Sequence, residues 1–354
     1  MTGLFAVLDT AARHARWVLV SGLVVALLLP AITLVFKPLI PLLIALLLLA
    51  ASFRVGPDQA FGALQSLHRS IGLALVLQCL VPVALLLCIV PLGLGGIYVI
   101  ALLLVASAAP ITGSPNLVLM LGGDPAPTLR QLILGTAILP LTAIPLFWWL
   151  PDIGNIAGIL VAVFKLLLVI GVATGAGFIL RKRWYPTLTQ PAESAVDGLS
   201  AILMALVVLG LMSAMGQALR EEPLVLVRML LFACVVNVGF QVLGFTLYRW
   251  VCGKTQRPEA TPEATPEATP DAILNVTPNA TPNATRAEKE SAGTAGSCNH
   301  AEAVSTGVIS GNRNIALFLT ALPATVVEPL LLFIGCYQIP MYLTPLLMRR
   351  FYRR

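Results

Sequence analysis

Two short polar segments interrupt long apolar stretches of this 354-residue chain, and they carry side chains that could bind a charged molecule. The first reads Pro-Ile-Thr-Gly-Ser-Pro-Asn over residues 110–116, and the second reads Ser-Gly-Asn-Arg-Asn over residues 310–314. Proline and glycine at such positions break a helix and leave backbone N–H and C=O groups unpaired. Within a membrane these groups must pack in protein or line a polar cavity. Because helix N-termini favour anions and C-termini favour cations, two adjacent breaks predict a binding site.

Arg313 is the one charged side chain inside the two segments. An arginine within a membrane span costs at least about 2.5 kcal/mol and usually faces a protein interior or a pathway. Several roles remain open: it could pair with a substrate anion, take the place of a coupling cation, bind the carbonyls of the broken helix, or extend to the cytoplasmic interface. The candidate substrate- or ion-binding residues are Thr112, Ser114, Asn116, Asn312, Arg313, Asn314, Gln78 and Gln338. Asn237 and Gln241 are further polar mid-span residues that could line the same site.

Carboxylates and histidines are scarce where membrane chemistry would need them. Of sixteen Asp and Glu residues, only Glu328 is positioned to enter the membrane, so no carboxylate is available to hold a sodium ion beside Arg313. His14, His68 and His300 all lie outside the apolar stretches, which excludes a histidine–metal site or a Ser–His pair within the membrane. We therefore expect no enzyme, no metal site and no cofactor.

The elements that hold these residues are apolar runs long enough to cross a bilayer. Hydrophobic residues make up 58% of the chain and charged residues only 11%, against about 25% in soluble proteins. Ten runs of roughly 20 residues are present, near 17–36, 39–53, 71–91, 94–121, 131–150, 161–181, 196–219, 225–252, 305–322 and 326–347. The sequence thus predicts an all-α polytopic membrane protein of ten transmembrane helices, with the lipid bilayer as its main partner.

Basic residues predict how these helices are oriented. With ten spans, seventeen Lys and Arg residues fall on the side of the termini and three on the other side. Short loops rich in Lys and Arg stay cytoplasmic, so we expect a multi-pass protein of the cell (inner or plasma) membrane with both termini in the cytoplasm. This bias accounts for the net charge of +6, and no nucleic-acid partner is expected. The six cysteines lack CxxC spacing and are expected to pack as small apolar side chains.

A four-residue repeat containing Pro, Glu, Ala, Thr and Asn divides the chain. Residues 254–304 carry this repeat, which predicts a disordered cytoplasmic loop because proline forbids helix and there is little apolar surface to bury. Residues 1–150 then form a first five-helix repeat. The second repeat comprises three helices in 151–253 and two helices with a basic C-terminus in 305–354. Since each half has an odd number of spans, the halves are expected to be inverted, with the breaks in the fourth span of each.

At these breaks the chain resembles the bile acid:sodium symporter family, as a divergent prokaryotic branch. The stretches that carry the resemblance are TGSPNLVLMLGGD (112–124), SGNRNIAL (310–317), GLALVLQCLVP (72–82) and YQIPMYLTPLL (337–347). The resemblance implies ten helices in two inverted five-helix repeats, a core domain and a panel domain. It also implies discontinuous fourth and ninth helices that cross near the midplane.

The resemblance assigns residues only in part. Asn116 matches the asparagine of the family's fourth-helix Ser-Asn pair. The serine position holds Pro115, so the hydroxyl is lost unless Ser114 supplies it. Gln78 resembles the third-helix glutamine of the second sodium site. The family's ninth-helix sodium ligands, Glu and Gln, correspond here to Ile309 and Arg313.

The expected function is secondary transport of small organic anions by alternating access. Because Ile309 and Arg313 replace the sodium ligands, sodium-independent transport is expected, and sodium is not assumed as a co-transported ion. The alternative is a channel, or a sensor or scaffold that does not transport, on the same fold; saturating flux would favour a carrier.

Overall fold

The structure, a computed structural model, describes residues 2–62, 67–150, 155–255 and 299–353, and its regular elements are helices. The α-helices are α1 (Thr2–Arg13), α2 (Ala15–Leu28), α3 (Pro30–Phe36), α4 (Ile40–Gly62), α5 (Leu67–Leu75), α6 (Val81–Ile89), α7 (Ile97–Ser107), α8 (Ser114–Met120), α9 (Pro125–Thr142), α10 (Ile144–Trp149), α11 (Ile156–Trp184), α12 (Gln190–Leu211), α13 (Ser213–Glu221), α14 (Pro223–Thr255), α15 (His300–Gly311), α16 (Ala324–Leu347) and α17 (Arg349–Tyr352). Short 3-10 helices span Lys37–Leu39 and Ile315–Thr320, and a π-helical segment spans Val76–Leu80.

Seven helical stretches of the described chain are long and apolar enough to cross a membrane. They are Ala31–Asp58, Ser70–Ile89, Pro125–Trp149, Ile156–Trp184, Gln190–Glu221, Pro223–Cys252 and Ala324–Leu347. Two shorter apolar helices, Trp17–Ala26 and Ile97–Ser107, accompany them. Large apolar side chains such as Leu28, Leu224 and Leu346 are exposed on the outside, as expected of a surface that faces lipid. The chain is therefore an all-helical membrane protein.

The first two helices are divided at a different point from the one predicted. The sequence placed one span over 17–36 and the next over 39–53, whereas α2 ends at Leu28 and α3 begins at Pro30. Proline suits the first turn of a helix because its missing N–H would have no helical partner there. From Pro30 the backbone stays helical through Pro38 and into α4, so the structure merges the region that the sequence divided.

The helices pack as two groups. The first helix group consists of α1–α4, α11 and α12, in which α12 packs against α1, α2 and α4, and α11 packs against α4. The second helix group consists of α5–α10 and α14–α16, in which α14 packs along α15 and α16 while α9 contacts α5 and α8. Helix α13 connects the groups, because it contacts α2 and α3 of the first group and α16 of the second. The boundary between these two groups positions the site described below.

Polar contacts secure the helix ends. Asn155 and Asn299 cap α11 and α15, accepting hydrogen bonds from Gly158 N–H at 2.6 Å and Ala301 N–H at 3.0 Å. At one end of the first helix group, Ser194 Oγ of α12 donates to Asp9 of α1 at 2.6 Å, which lowers the pKa of that carboxyl. These contacts satisfy one backbone N–H at the start of each of α11 and α15 and join α12 to α1.

Two sequence predictions concern the region around the repeat. Residues 256–298 lie outside the described part of the chain, so most of the predicted insert does too, but its ends belong to α14 and α15. The expectation that the cysteines pack as small apolar side chains is wrong for Cys252, which is disulfide-bonded. Among the described cysteines, Cys79, Cys88, Cys234 and Cys336 are free.

Candidate functional site

The two polar segments lie at helix interruptions, and their backbones bind each other. Helix α7 ends at Ser107 and α8 begins at Ser114; α15 ends at Gly311, and a 3-10 helix follows from Ile315. Between these ends the Ile111 N–H donates to the Asn312 carbonyl at 3.1 Å, and the Asn314 N–H donates to the Ala109 carbonyl at 2.7 Å. Pro110 and Arg313 form an isolated antiparallel bridge. Each interruption thus satisfies part of the other's backbone, as the bilayer interior requires.

Arg313 lies at this junction and is held by backbone carbonyls. Its side chain is 3% exposed, and it is the only charged residue among the buried residues of the described chain. The guanidinium donates from Nε to the Ser310 carbonyl at 3.0 Å, and from its two terminal nitrogens to the carbonyls of Ala108 at 2.8 Å and Leu77 at 3.4 Å. These carbonyls lie at or near the ends of α15 and α7 and in the π-helical segment, and helix C-terminal ends are negative.

No carboxylate neutralises this guanidinium within the described residues. The ion pairs found there lie elsewhere, between Arg13 and Asp9, between Arg54 and both Glu193 and Asp197, and between Lys37 and Glu328. Burying an unpaired charge is costly unless fixed dipoles and hydrogen bonds replace the lost water. The carbonyls therefore stabilise the charge in place of a counter-ion.

A buried amide and hydroxyl network supports the second interruption from behind. Asn237 Nδ2 donates to the Gly311 carbonyl at 2.6 Å, and Tyr337 Oη donates to the same oxygen. Gln241 Nε2 donates to Asn237 Oδ1 at 2.7 Å and to Thr344 Oγ1 at 3.1 Å. Thr344 Oγ1 in turn donates to the Asn312 side-chain oxygen at 3.0 Å. Such a network fixes the backbone where α15 ends.

A small cavity adjoins Arg313 at the boundary between the two helix groups. It has a volume of about 40 Å³. The second helix group supplies its polar lining, which consists of Thr112, Arg313, Asn314 and Gln338. The first helix group supplies apolar side chains from α4 and α12, which are Ile44, Leu47, Leu48, Met204, Val207 and Leu211. The arrangement places a cation and three neutral polar residues opposite an apolar wall.

Half of the eight candidate residues therefore meet at one cavity. The other four lie elsewhere, and three of them are buried. Asn312 belongs to the network behind the break, Ser114 Oγ donates to the Ile111 carbonyl at 2.7 Å, and Gln78 accepts a hydrogen bond from Thr142 at 3.2 Å. Asn116 is exposed on α8 and does not line the cavity.

Sequence reasoning missed Thr142, Thr344 and Tyr337, each of which bonds a predicted polar residue or the backbone at the break. Their types gave little signal, because threonine and tyrosine are common in membrane helices. Asn237 and Gln241, four residues apart, were visible as a polar pair on one helix face, and the structure places both in the network.

A comparison with models of known families found none that matches the chain, and a search of characterised protein sequences found no match.

Proposed function

We propose that this chain is a secondary transporter of small organic anions that works by alternating access. The observation that carries the proposal is the cavity beside Arg313, which lies between two helix groups and is lined by the junction of two interrupted helices. A fixed cation faces neutral hydrogen-bonding groups there, which suits a carboxylate or another small organic anion. The resemblance of residues 112–124 and 310–317 to bile acid:sodium symporters supports the same function, and it implies ten helices in two inverted repeats.

The size of the cavity determines how such a transporter would move. A volume of about 40 Å³ exceeds the roughly 10–15 Å³ that one water molecule needs, but it is far below the roughly 300–1,000 Å³ of small-molecule sites, so the cavity is too small for an organic anion. The two helix groups must separate for a substrate to enter. Because one wall comes from α4 and α12 and the other from the junction, movement of one group against the other would open the cavity.

A substitution that fills the cavity tests the proposal. Met204 lines the apolar wall, and Met204→Trp should abolish uptake of organic anions into proteoliposomes while leaving the protein folded. The matched control is Leu167→Trp, on the lipid-facing side of α11, where Leu167 is 53% exposed; this variant should retain uptake. Substrates would first be selected by thermal-shift screening of small organic acids. Saturable uptake that survives Met204→Trp, or no saturable flux of any acid that binds, contradicts the proposal.

A further inference from the structure

We infer that Arg313 is a tethered cation, which fills a carbonyl site that a free monovalent cation would otherwise occupy. The inference rests on the proposed transport function for its consequence, which is flux that needs no coupling cation. The occupation of this site by the guanidinium rests on hydrogen bonds in the structure and not on transport. Carbonyls from three separate segments converge on one guanidinium, namely those of Leu77, Ala108 and Ser310.

Backbone carbonyls such as these three are the type of ligand that also holds partly dehydrated cations. Rings of backbone carbonyls replace a metal ion's hydration shell in ion-selective sites, and no side-chain charge is required for that. Here the carbonyls of Ala108 and Ser310 come from the C-terminal ends of α7 and α15, where the helix dipole is negative. The Leu77 carbonyl comes from a π-helical segment, in which the regular helical ladder is interrupted.

Arg313 is the only charged residue among the buried residues that the structure describes, so no other positive charge lies in this part of the interior. Gln78 is engaged with Thr142, and the network behind α15 consists of neutral amides and hydroxyls. Within the described chain no salt bridge involves Arg313, so the charge is balanced by dipoles rather than by a carboxylate. Removal of the guanidinium would leave carbonyl oxygens unpaired beside a cavity. A small cation entering from that cavity would restore their interactions.

All three carbonyls belong to the second helix group, and so does Arg313. The charge therefore moves with that group and cannot be released to either side of the membrane. A free cation at the same place would have to bind and dissociate in each cycle, which makes flux depend on its concentration. With the arginine in place, the same position is occupied at any salt composition.

The experiment compares substrate-free proteins in detergent, in sodium, potassium or choline chloride at equal ionic strength. The wild-type melting temperature should not differ among the three salts. In choline, Arg313→Ala should have a lower melting temperature than the wild type. Sodium or potassium should raise the melting temperature of this variant with a saturating concentration dependence. Lys165→Ala, which removes an exposed cation from α11, is the matched control and should remain indifferent to the cation.

If Arg313→Ala does not fold, the melting temperature of Arg313→Lys and the cation dependence of wild-type uptake test the same inference. Arg313→Lys retains the positive charge, so its melting temperature should be indifferent to the cation; selective stabilisation of this variant by sodium contradicts the inference. Wild-type uptake should be equal in sodium and choline, and sodium-dependent uptake also contradicts it. Since the thermal measurements use no substrate, they separate failure of this inference from failure of the transport proposal. A folded Arg313→Ala that is insensitive to all three cations overturns the inference.

Discussion

Gly311 lies where α15 ends, and the neighbouring helix α14 leaves no room for a side chain there. A Cβ atom at this position would lie 2.3 Å from the Asn237 carbonyl oxygen and 2.3 Å from Gln241 Cγ. Since one of these atoms is backbone, the helices must move apart to accept it. We expect Gly311→Ala to lower the free energy of unfolding by about 1–3 kcal/mol, the usual cost of overpacking, and to reduce any transport activity as well.

The control for this prediction is Gly239→Ala on α14, where a Cβ would meet nothing within 4 Å. That variant should be neutral or stabilised by up to about 1 kcal/mol, because alanine favours helix over glycine. Denaturation curves in mixed detergent provide both values. Equal stability of the two variants would show that α14 and α15 do not approach as closely as described.

Residue types alone predicted part of the site. The sequence singled out Arg313 because a buried charge in an apolar stretch is costly, and the structure places it at the junction of the two breaks. It could not show that backbone carbonyls bind the guanidinium, because carbonyl positions depend on how distant segments meet. The sequence also could not show that Asn116 is exposed. Its polarity made it a candidate, but the direction in which the short helix α8 presents it depends on packing.

At the scale of elements, the turn inside α4 depends on one glycine. Gly56 has φ 77° and ψ 161°, a conformation that essentially only glycine adopts, and Pro57 follows it. We expect Gly56→Ala to lower the free energy of unfolding by about 1–3 kcal/mol, since its Cβ would also lie 3.3 Å from Arg181 Nε. Gly175→Ala on α11, where a Cβ meets nothing within 4 Å, should show no such loss when both variants are compared by denaturation curves in detergent. A Gly56→Ala protein as stable as wild type would contradict this backbone conformation.

Hydrophobic length predicted the long helices better than the places where they begin. Long apolar runs identified stretches such as Ile156–Trp184 and Pro223–Cys252, because a bilayer sets the minimum length. The division between the first two helices was misplaced, because residues 37–38, which separate the predicted spans 17–36 and 39–53, lie within a continuous helical path. Polar residues marked the two helix interruptions in the sequence. The backbone pairing between the interruptions could not be predicted, because it depends on how distant segments meet in three dimensions.

At the scale of the whole molecule, side-chain pairs connect distant ends of the helices. Arg54 of α4 pairs with Glu193 and Asp197 of α12, so these helix ends share one face. Lys37 pairs with Glu328 near the start of α16 and joins another pair of helix ends. In the count of basic residues, Arg54 is one of the seventeen on the side of the termini and Lys37 is one of the three on the other side. The pairs agree with two separate faces, but they do not identify which compartment each face meets.

The orientation prediction follows from the distribution of basic residues. Seventeen basic residues on the side of the termini predict that this side lies in the cytoplasm, together with the Arg-rich C-terminus and the repeat. The disulfide at Cys252 at first favours the opposite assignment, because disulfides persist mainly in oxidising compartments. The charge difference is large enough that we predict a cytoplasmic location, in which the Cys252 disulfide of the structure would be reduced.

Reporter fusions and thiol labelling test this orientation together. A fluorescent protein at the C-terminus should be fluorescent, whereas alkaline phosphatase fused at the same place should be inactive, because that enzyme needs an oxidising compartment to form its disulfides. In intact cells Cys252 should be protected from a membrane-impermeant maleimide, and it should react once the cells are opened without reductant. A Cys88-only variant, in which the other five cysteines are replaced, reports background labelling of an exposed membrane cysteine. Active phosphatase together with an oxidised Cys252 would reverse the assignment of both faces while leaving the helix arrangement unchanged.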